Sequence, residues 1–296
     1  MNKKDYIKVI EQMNKEYQEI YNCTTLKKKR TLKTILKLAS KLQLKKLFYI
    51  FVRRKQSSLK ISDPIYNKKS GKKVVYTCIL NDYDNLMDPM VITDNTDYIV
   101  FSDNKNIAKN SQIWKYRNIP RNIIVKCENN PVLINRYIKM HPKEFFDNYD
   151  LAMYIDGSIK IISDISDCFC YINDKTGLAV HNHRCRCDIY SEAKACISQN
   201  FGNKKKIRMA IEKYKKENFP ENYGLFEAGI IAIDLNNVKS LKILNDWFEE
   251  FIKSGTLRDQ MSFTYILWKN KFKYEDVGVM AVNISKNYKF RIYNHK

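Results

Sequence analysis

Glycine is scarce in this chain, with 8 among 296 residues, and proline scarcer still at 6. No Gly-x-Gly-x-x-Gly, no Gly-x-x-x-x-Gly-Lys and no Gly-x-Ser-x-Gly occurs. This argues against a dinucleotide-binding Rossmann domain, a P-loop NTPase and an α/β-hydrolase. A phosphate ligand would have to be met by charge rather than by a glycine cradle. Long apolar runs are missing as well. Near the N-terminus the longest is Leu47–Val52, six residues, against about 20 for a bilayer span. The opening Met1-Asn2-Lys3-Lys4-Asp5-Tyr6 leads into no apolar stretch of the kind a secretory signal needs. The expectation is a cytoplasmic protein whose eight cysteines are mostly reduced. Arginine is the minor cation, 11 against 42 lysines. Bidentate recognition of bases and phosphates favours arginine, so nucleic acid is not the expected partner.

What is present is apolar material and positive charge. Hydrophobic residues make up 44% of the chain and aromatic residues 12%, enough for a real core and against wholesale disorder. The formal net charge is +21. Residues 1–73 hold 21 Lys+Arg and 5 Asp+Glu, a balance of +16, which leaves +5 for residues 74–296. Two helices are expected in the basic part, over 5–22 and 26–55. The second has apolar Leu32, Ile35, Leu36, Ala39 and Leu42 on one stripe and Lys33, Lys37 and Lys41 on another face. Such a helix either lies on an anionic membrane surface or packs on the main domain with its lysines in water. A linker over 56–72 follows. The expected division is a basic helical extension, 1–70, and a second domain, 71–296.

From Lys73 onward, short apolar runs alternate with helical patterns, the signature of an α/β domain. The runs are Lys73 to Leu80, Tyr98 to Phe101, Leu151 to Ile155 and Ala228 to Ile233, and their ends carry Asp82, Asp103, Asp156 and Asp234. Continuous apolar runs suit strands buried on both faces of a parallel sheet, whose carboxyl ends form the usual ligand crevice. Helices are expected over 131–141, 189–200, 204–217, 237–253 and 259–269.

Several groupings could carry chemistry. Asp156-Gly157-Ser158 closes a buried strand, where a carboxylate binds a divalent cation or a ribose hydroxyl, or where Asp-Gly simply makes a turn. Asn130-Pro131 reads as a helix cap and first turn, and Arg136 and Lys139 share a face that either neutralises a diphosphate or is merely solvated. Pro220 to Gly229 is a polar loop leading into a strand. Asp259 opens a helix, where it favours the dipole or points into a cleft as a base or hydroxyl-binding group. His181, His183, Cys185 and Cys187 invite a zinc reading. In an extended segment, however, they span about 20 Å, too far for one tetrahedral ion, so zinc is not favoured.

Taken in order, these blocks resemble a glycosyltransferase-like family of plants and bacteria, first catalogued as a domain of unknown function. The resemblance is carried by Tyr76 to Ile79 with Asp82-Tyr83-Asp84, Tyr98 to Asp103, Asn130 to Leu133 with Arg136 and Lys139, and Asn148-Tyr149-Asp150. It continues through Ile155 to Ile159, Cys187 to Ala193, Phe219 to Gly229 and Arg258 to Phe263. It implies a GT-A-like nucleotide-diphospho-sugar transferase fold, a mostly parallel sheet flanked by helices, with the N-terminal helical extension outside the resemblance. The implied activity is transfer of a sugar from a nucleoside diphosphate to an acceptor hydroxyl, in cell-surface polysaccharide or glycolipid synthesis. Donor binding would fall to Thr77, Asp82, Arg136, Lys139, Asp156 and Ser158, and acceptor binding to Asn222, Gly224 and Gln260. Asp259, then Glu221, would act at the reacting sugar or acceptor. A divalent cation, Mn²⁺ or Mg²⁺, would sit on Asp156 with His295. The family's Asp-x-Asp reads Asp156-Gly157-Ser158 here, so the second acid is absent and metal dependence stays open. The expected partners are a nucleotide-sugar donor, a glycan or lipid-linked acceptor and an anionic membrane surface, with the protein peripheral on the inner face of the plasma membrane. The alternatives are a non-catalytic polyanion-binding protein using the basic segment, or a pseudoenzyme.

Overall fold

The structure is a computed structural model, and it describes residues 61–64 and 71–296. The expected helices over 5–22 and 26–55 lie outside the described residues. Of the expected linker, Ser62 is seated: its N–H donates to Val279 O at 3.2 Å, and its Oγ accepts from Val279 N at 2.9 Å.

Among the described residues nine strands form two sheets. In the larger, β1 (Lys73–Ile79) lies beside β2 (Thr96–Ser102), which lies beside β3 (Trp114–Asn118); β4 (Leu151–Ile155), β7 (Phe226–Asp234), β6 (Leu178–Asn182) and β8 (Gly278–Val279) complete it. The order is β3-β2-β1-β4-β7-β6-β8. Only β7 runs against its neighbours, so the sheet is mostly parallel. A second sheet pairs β5 (Ile159–Ile161) with β9 (Phe290–Ile292), which brings the chain's C-terminus back to the turn after β4. Every residue of β1 and β4 is buried, as their continuous apolar runs require.

The described residues hold six α-helices, α1 (Arg121–Lys126), α2 (Pro131–Met140), α3 (Ile189–Gln199), α4 (Lys204–Lys216), α5 (Val238–Ser254) and α6 (Asp259–Lys269). Strand alternation sorts the two faces of the sheet. Val74, Tyr76, Cys78 and Leu80 join one core, shared with buried residues of all six α-helices. Val75 joins the other, which is closed instead by the 3₁₀ segment Ser166–Tyr171, by β5 and by Ile284 and Phe290. The α-helices therefore flank one face, while short helical turns and the small sheet cover the opposite one.

Helix α2 is capped at its start and fixed over β1 at two points. Asn130 caps it, accepting from Val132 N at 2.9 Å and Leu133 N at 3.3 Å, and Pro131 fills the first turn, where no N–H is needed. Asn135 Nδ2 donates to Cys78 O at 2.7 Å. Tyr76 Oη donates to Lys139 O at 2.7 Å. Trp247 on α5 donates to Asp259 O at 2.8 Å and holds the start of α6. Together these bonds place Arg136, Lys139 and Asp259 beside the carboxyl ends of β1 and β4.

Candidate active site

At that edge three charges meet. One carboxylate oxygen, Asp259 Oδ2, lies 2.8 Å from Arg136 Nε and 2.8 Å from Lys139 Nζ. Lys139 also sits 5.0 Å from the Tyr154 ring and 5.2 Å from the Trp247 ring, so its ammonium is enclosed by a carboxylate and two aromatic faces. Burial alone would push the Asp259 carboxyl up, but Arg136 and Lys139 outweigh it and hold the group well below the usual carboxylate range. Burial likewise disfavours the Arg136 charge, and Asp259, Tyr154 and Asp156 more than restore it. The two cations differ in access: the Arg136 side chain is 23% exposed, that of Lys139 1%. Only Arg136 opens to a ligand.

Asp156 follows β4 directly. Its N–H donates to Gly229 O at 2.8 Å, and its carboxylate lies over Gly229, where an added Cβ would stand 2.9 Å from Oδ2. Tyr154 hydrogen-bonds to Asp156 and lies 3.5 Å from Asn135 Oδ1, linking the strand end to the Arg136 helix. Gly157 is equally close-packed, with Asp84 Oδ2 2.9 Å from its virtual Cβ. Gly229→Ala should therefore displace the Asp156 carboxylate and depress any activity of this site more than it depresses the melting temperature. Parallel kinetic and thermal-unfolding measurements check this.

Beyond β1 and β2 lies a cavity of about 340 Å³ lined by Asp82, Asp84, Asn85, Leu86, Asn104 and Lys296, among others. Asn81 and Asp82 turn the chain there with φ of 54° and 48°, a left-handed conformation that Asn and Asp tolerate. Asp103 accepts from Asn81 N at 3.2 and 3.1 Å, and Asp82 Oδ1 accepts from Asn104 Nδ2 at 2.9 Å, which ties the β1 loop to the β2 loop.

The remaining expected residues divide. Ser158 is buried at the same turn, and its carbonyl accepts from Tyr293 N at 2.8 Å. Gln260 opens α6, and its Oε1 is buried with no hydrogen-bond partner among the described residues. Thr77 is buried inside β1, so it is a sheet residue rather than a loop contact to the donor. Lys139 has no open face toward a diphosphate. His295 Nδ1 lies 2.8 Å from Asp84 Oδ1, and its ring packs 4.7 Å from that of Tyr83; it partners Asp84 rather than Asp156. Glu221 and Asn222 are exposed, Glu221 near Tyr190 and Asn222 against Cys187 Sγ at 3.7 Å. Gly224, with φ of 119°, is pressed against the Tyr274 ring, which leaves no room for a Cβ. Asp259, expected at the reacting sugar or acceptor, is bound to two cations and its carboxyl is held well below the usual range, which makes it a poor base.

The His/Cys segment is dispersed. His181 Nε2 meets Asn287 Nδ2 at 2.9 Å, and burial pushes its imidazole down to about 3. His183 Nδ1 accepts from Cys185 N and Arg186 N, its Nε2 lies 3.5 Å from Glu192, and burial pushes it down to about 4. Glu192 also meets Arg186 at 2.6 Å and Arg258 at 3.7 Å. This second ion cluster braces the loop before α3 against the residue preceding Asp259. The spacing already argued against one tetrahedral ion; what it did not show is the partner, Glu192, which comes from the following helix. Among the described residues no three His, Cys, Asp or Glu side chains group to hold a metal ion. The expected metal pair, Asp156 with His295, is not brought together: His295 pairs with Asp84.

A family match, TOD1/MUCI70, glycosyltransferase-like domain, spans residues 51–294. The chain belongs to this family. The match extends past both ends of the motif-bearing stretch and takes in the whole of the described sheet. With the mostly parallel sheet order, it makes the fold a GT-A-like α/β fold. Comparison with curated proteins gives no match. Similar solved structures include the bifunctional glycosyltransferase WbbM, at TM-score 0.46 and 15% identity over 74% of this chain and 40% of that one. Mouse xyloside xylosyltransferase 1 has TM-score 0.44 and 11% identity, covering 70% of this chain and 84% of that one. The galactosyltransferase LgtC, solved with donor and acceptor sugar analogs, has TM-score 0.43 and 12% identity, covering 70% and 73%. The chain thus spans less than half of the first.

Proposed function

We propose that this protein transfers a sugar from a nucleoside-diphosphate donor to an acceptor hydroxyl, in the synthesis of a cell-surface polysaccharide or glycolipid at the inner face of the membrane. The observation that carries the reading is the Asp156–Arg136–Asp259 arrangement at the strand ends, beside a cavity of about 340 Å³. That volume falls in the range of small-molecule sites. In the reaction the bond from the anomeric carbon to the diphosphate oxygen breaks. A bond from that carbon to the acceptor oxygen forms, and the proton of the acceptor hydroxyl passes to the departing diphosphate, which leaves with it into solvent. Charge grows on the leaving diphosphate, and a fixed cation facing it lowers the barrier. Arg136 is that cation. Asp259 and Lys139 hold it in place, so little reorganisation is needed when the charge develops. Asp156, whose own charge acts on Arg136, accepts hydrogen bonds from hydroxyls of the donor ribose or sugar. The unmet Gln260 Oε1 accepts from the incoming acceptor hydroxyl, since a buried acceptor left without a partner costs about 1–3 kcal/mol.

A thermal-shift and hydrolysis screen of UDP-, GDP- and CMP-sugars, with and without Mn²⁺, tests this. At least one donor should raise the melting temperature and release free nucleotide. Neither effect with any donor would contradict the reading.

A further inference from the structure

Helix α4, with the loops packed on its N-terminal end, forms a basic surface that the sugar-transfer site does not use. The helix reads Lys-Lys-Lys-Ile-Arg-Met-Ala-Ile-Glu-Lys-Tyr-Lys-Lys. It holds seven Lys/Arg and one Glu, a balance of +6. Residues 74–296 total +5, so everything in them outside this helix sums to −1. The net positive charge of residues 74–296 is therefore that of this one helix. Ile207, Ala210 and Tyr214 are buried against the core. Helical spacing puts Lys205, Arg208, Met209 and Lys216 on the opposite side, and all four are exposed.

Apolar side chains stand among these charges. Phe201 is 51% exposed, Met209 52% and Leu257 46%. They belong to one surface because the loops before α4 and before α6 are joined. Asn203 N donates to Thr256 O at 3.3 Å, the Gly202 virtual Cβ lies 2.5 Å from the same oxygen, and the Arg258 guanidinium sits 5.6 Å from the Phe201 ring. Leu257 is two residues before Asp259, so one edge of this surface lies on the loop that leads into the site.

We propose that this surface, Phe201, Lys204, Lys205, Arg208, Met209 and Leu257, docks the domain onto an anionic lipid bilayer. Lysines beside exposed apolar tips match both layers of a membrane interface: the ammonium groups meet anionic headgroups while Phe201, Met209 and Leu257 enter the acyl boundary. A nucleic-acid surface fits less well. The helix has six lysines to one arginine, and the Phe201 face is taken by Arg258 instead of being free to stack on a base. Among the described residues no helix is long and apolar enough to cross a membrane, so the contact is with the surface. The inference deepens the sugar-transfer reading by setting the loop that leads into the site at the bilayer, where a lipid-linked acceptor arrives. The docking itself stands without that reading.

The experiment uses the full chain and vesicles of 70% phosphatidylcholine and 30% phosphatidylglycerol. The triple variant Lys204→Gln/Lys205→Gln/Arg208→Gln should bind at least about tenfold more weakly than the unmodified protein. Nucleotide-sugar hydrolysis in solution should be unchanged. Phe201→Trp should show a blue-shifted emission on these vesicles, quenched by brominated acyl chains. Equal vesicle binding by the triple variant, or an unshifted Trp at position 201, would overturn the proposal. So would a triple variant that loses single-stranded RNA binding while keeping vesicle binding, since that marks a polyanion surface. If no donor is hydrolysed by any form while the vesicle results hold, the sugar-transfer reading fails and the docking surface remains.

Discussion

Asp259→Ala should destabilise the fold by about 3–5 kcal/mol, the usual cost of removing one partner from a buried ion pair. The value belongs at the upper end because two cations lose their counter-charge at once. Lys139, 1% exposed, has no route to water and would be left with only the Tyr154 and Trp247 rings. Arg136 would keep its contact with Asn135 Oδ1. Asp259→Asn should cost nearly as much, since it keeps the shape and removes the charge. Lys139→Met combined with Asp259→Asn should cost less than the two single changes added together, because each removes the other's unpaired partner. Denaturant unfolding of the four proteins checks this, and strict additivity would show that the pair is not coupled. The same carboxylate sets an acid limit. Its folded-state value is depressed below the ordinary one near 3.8, so its contribution is fully present above that value. The contribution is lost as pH falls through the depressed folded value. Asp259→Asn should therefore flatten the fall in stability below pH about 4.

Arg136→Met should behave in the opposite way, costing activity rather than fold. Asp259 keeps Lys139 at 2.8 Å, so the buried carboxylate is not orphaned, and the Met side chain fills much of the space of the arginine stem. What is lost is the positive charge facing the donor. Removing one preorganised group that stabilises transition-state charge lowers turnover by about 10²–10³-fold. Arg136→Lys should recover only part of this, because an ammonium cannot hold Asp259 and a phosphate with the planar fork of a guanidinium. Steady-state kinetics with a donor identified by the screen, beside a melting curve, separates the two variants. A melting temperature that drops as far for Arg136→Met as for Asp259→Ala would deny Arg136 its place at the cleft.

Much of this site was legible in the sequence, and the parts that were not share a physical cause. Leu151 to Ile155 is apolar throughout because β4 is buried on both faces, and its observed limits match the expected ones. Helix α2 announced itself through Asn130 and Pro131. By contrast β3 reads Trp-Lys-Tyr-Arg-Asn and buries only Trp114, since it lies at the sheet's edge and needs no apolar run. Strand β6 ends in His181 and Asn182, both buried, and that polarity read as a ligand motif rather than as a strand. Asp156 and Asp259 stood out because they mark a strand end and a helix start, and Arg136 because it shares a helix face with Lys139. The enclosure of Lys139 did not. Its partner is 120 residues away, and sequence spacing on a helix shows which residues share a face without showing what covers that face. His295 was expected as a ligand from its place near the C-terminus. The β5–β9 pairing does bring that segment to the Asp156 turn, yet it seats the imidazole on Asp84.

The central claim is that Arg136 meets the leaving diphosphate while Asp156 meets hydroxyls of the donor. An experimentally determined structure of the complex with a nucleoside diphosphate sugar, or a non-hydrolysable analogue, tests it most directly. The account predicts the nucleoside in the cavity lined by Asp82, Asp84 and Asn104, a guanidinium nitrogen of Arg136 within hydrogen-bond distance of a phosphate oxygen, and Asp156 on a ribose or sugar hydroxyl. A donor bound away from the ends of β1 and β4, or one whose diphosphate leaves Arg136 uncontacted, would contradict it.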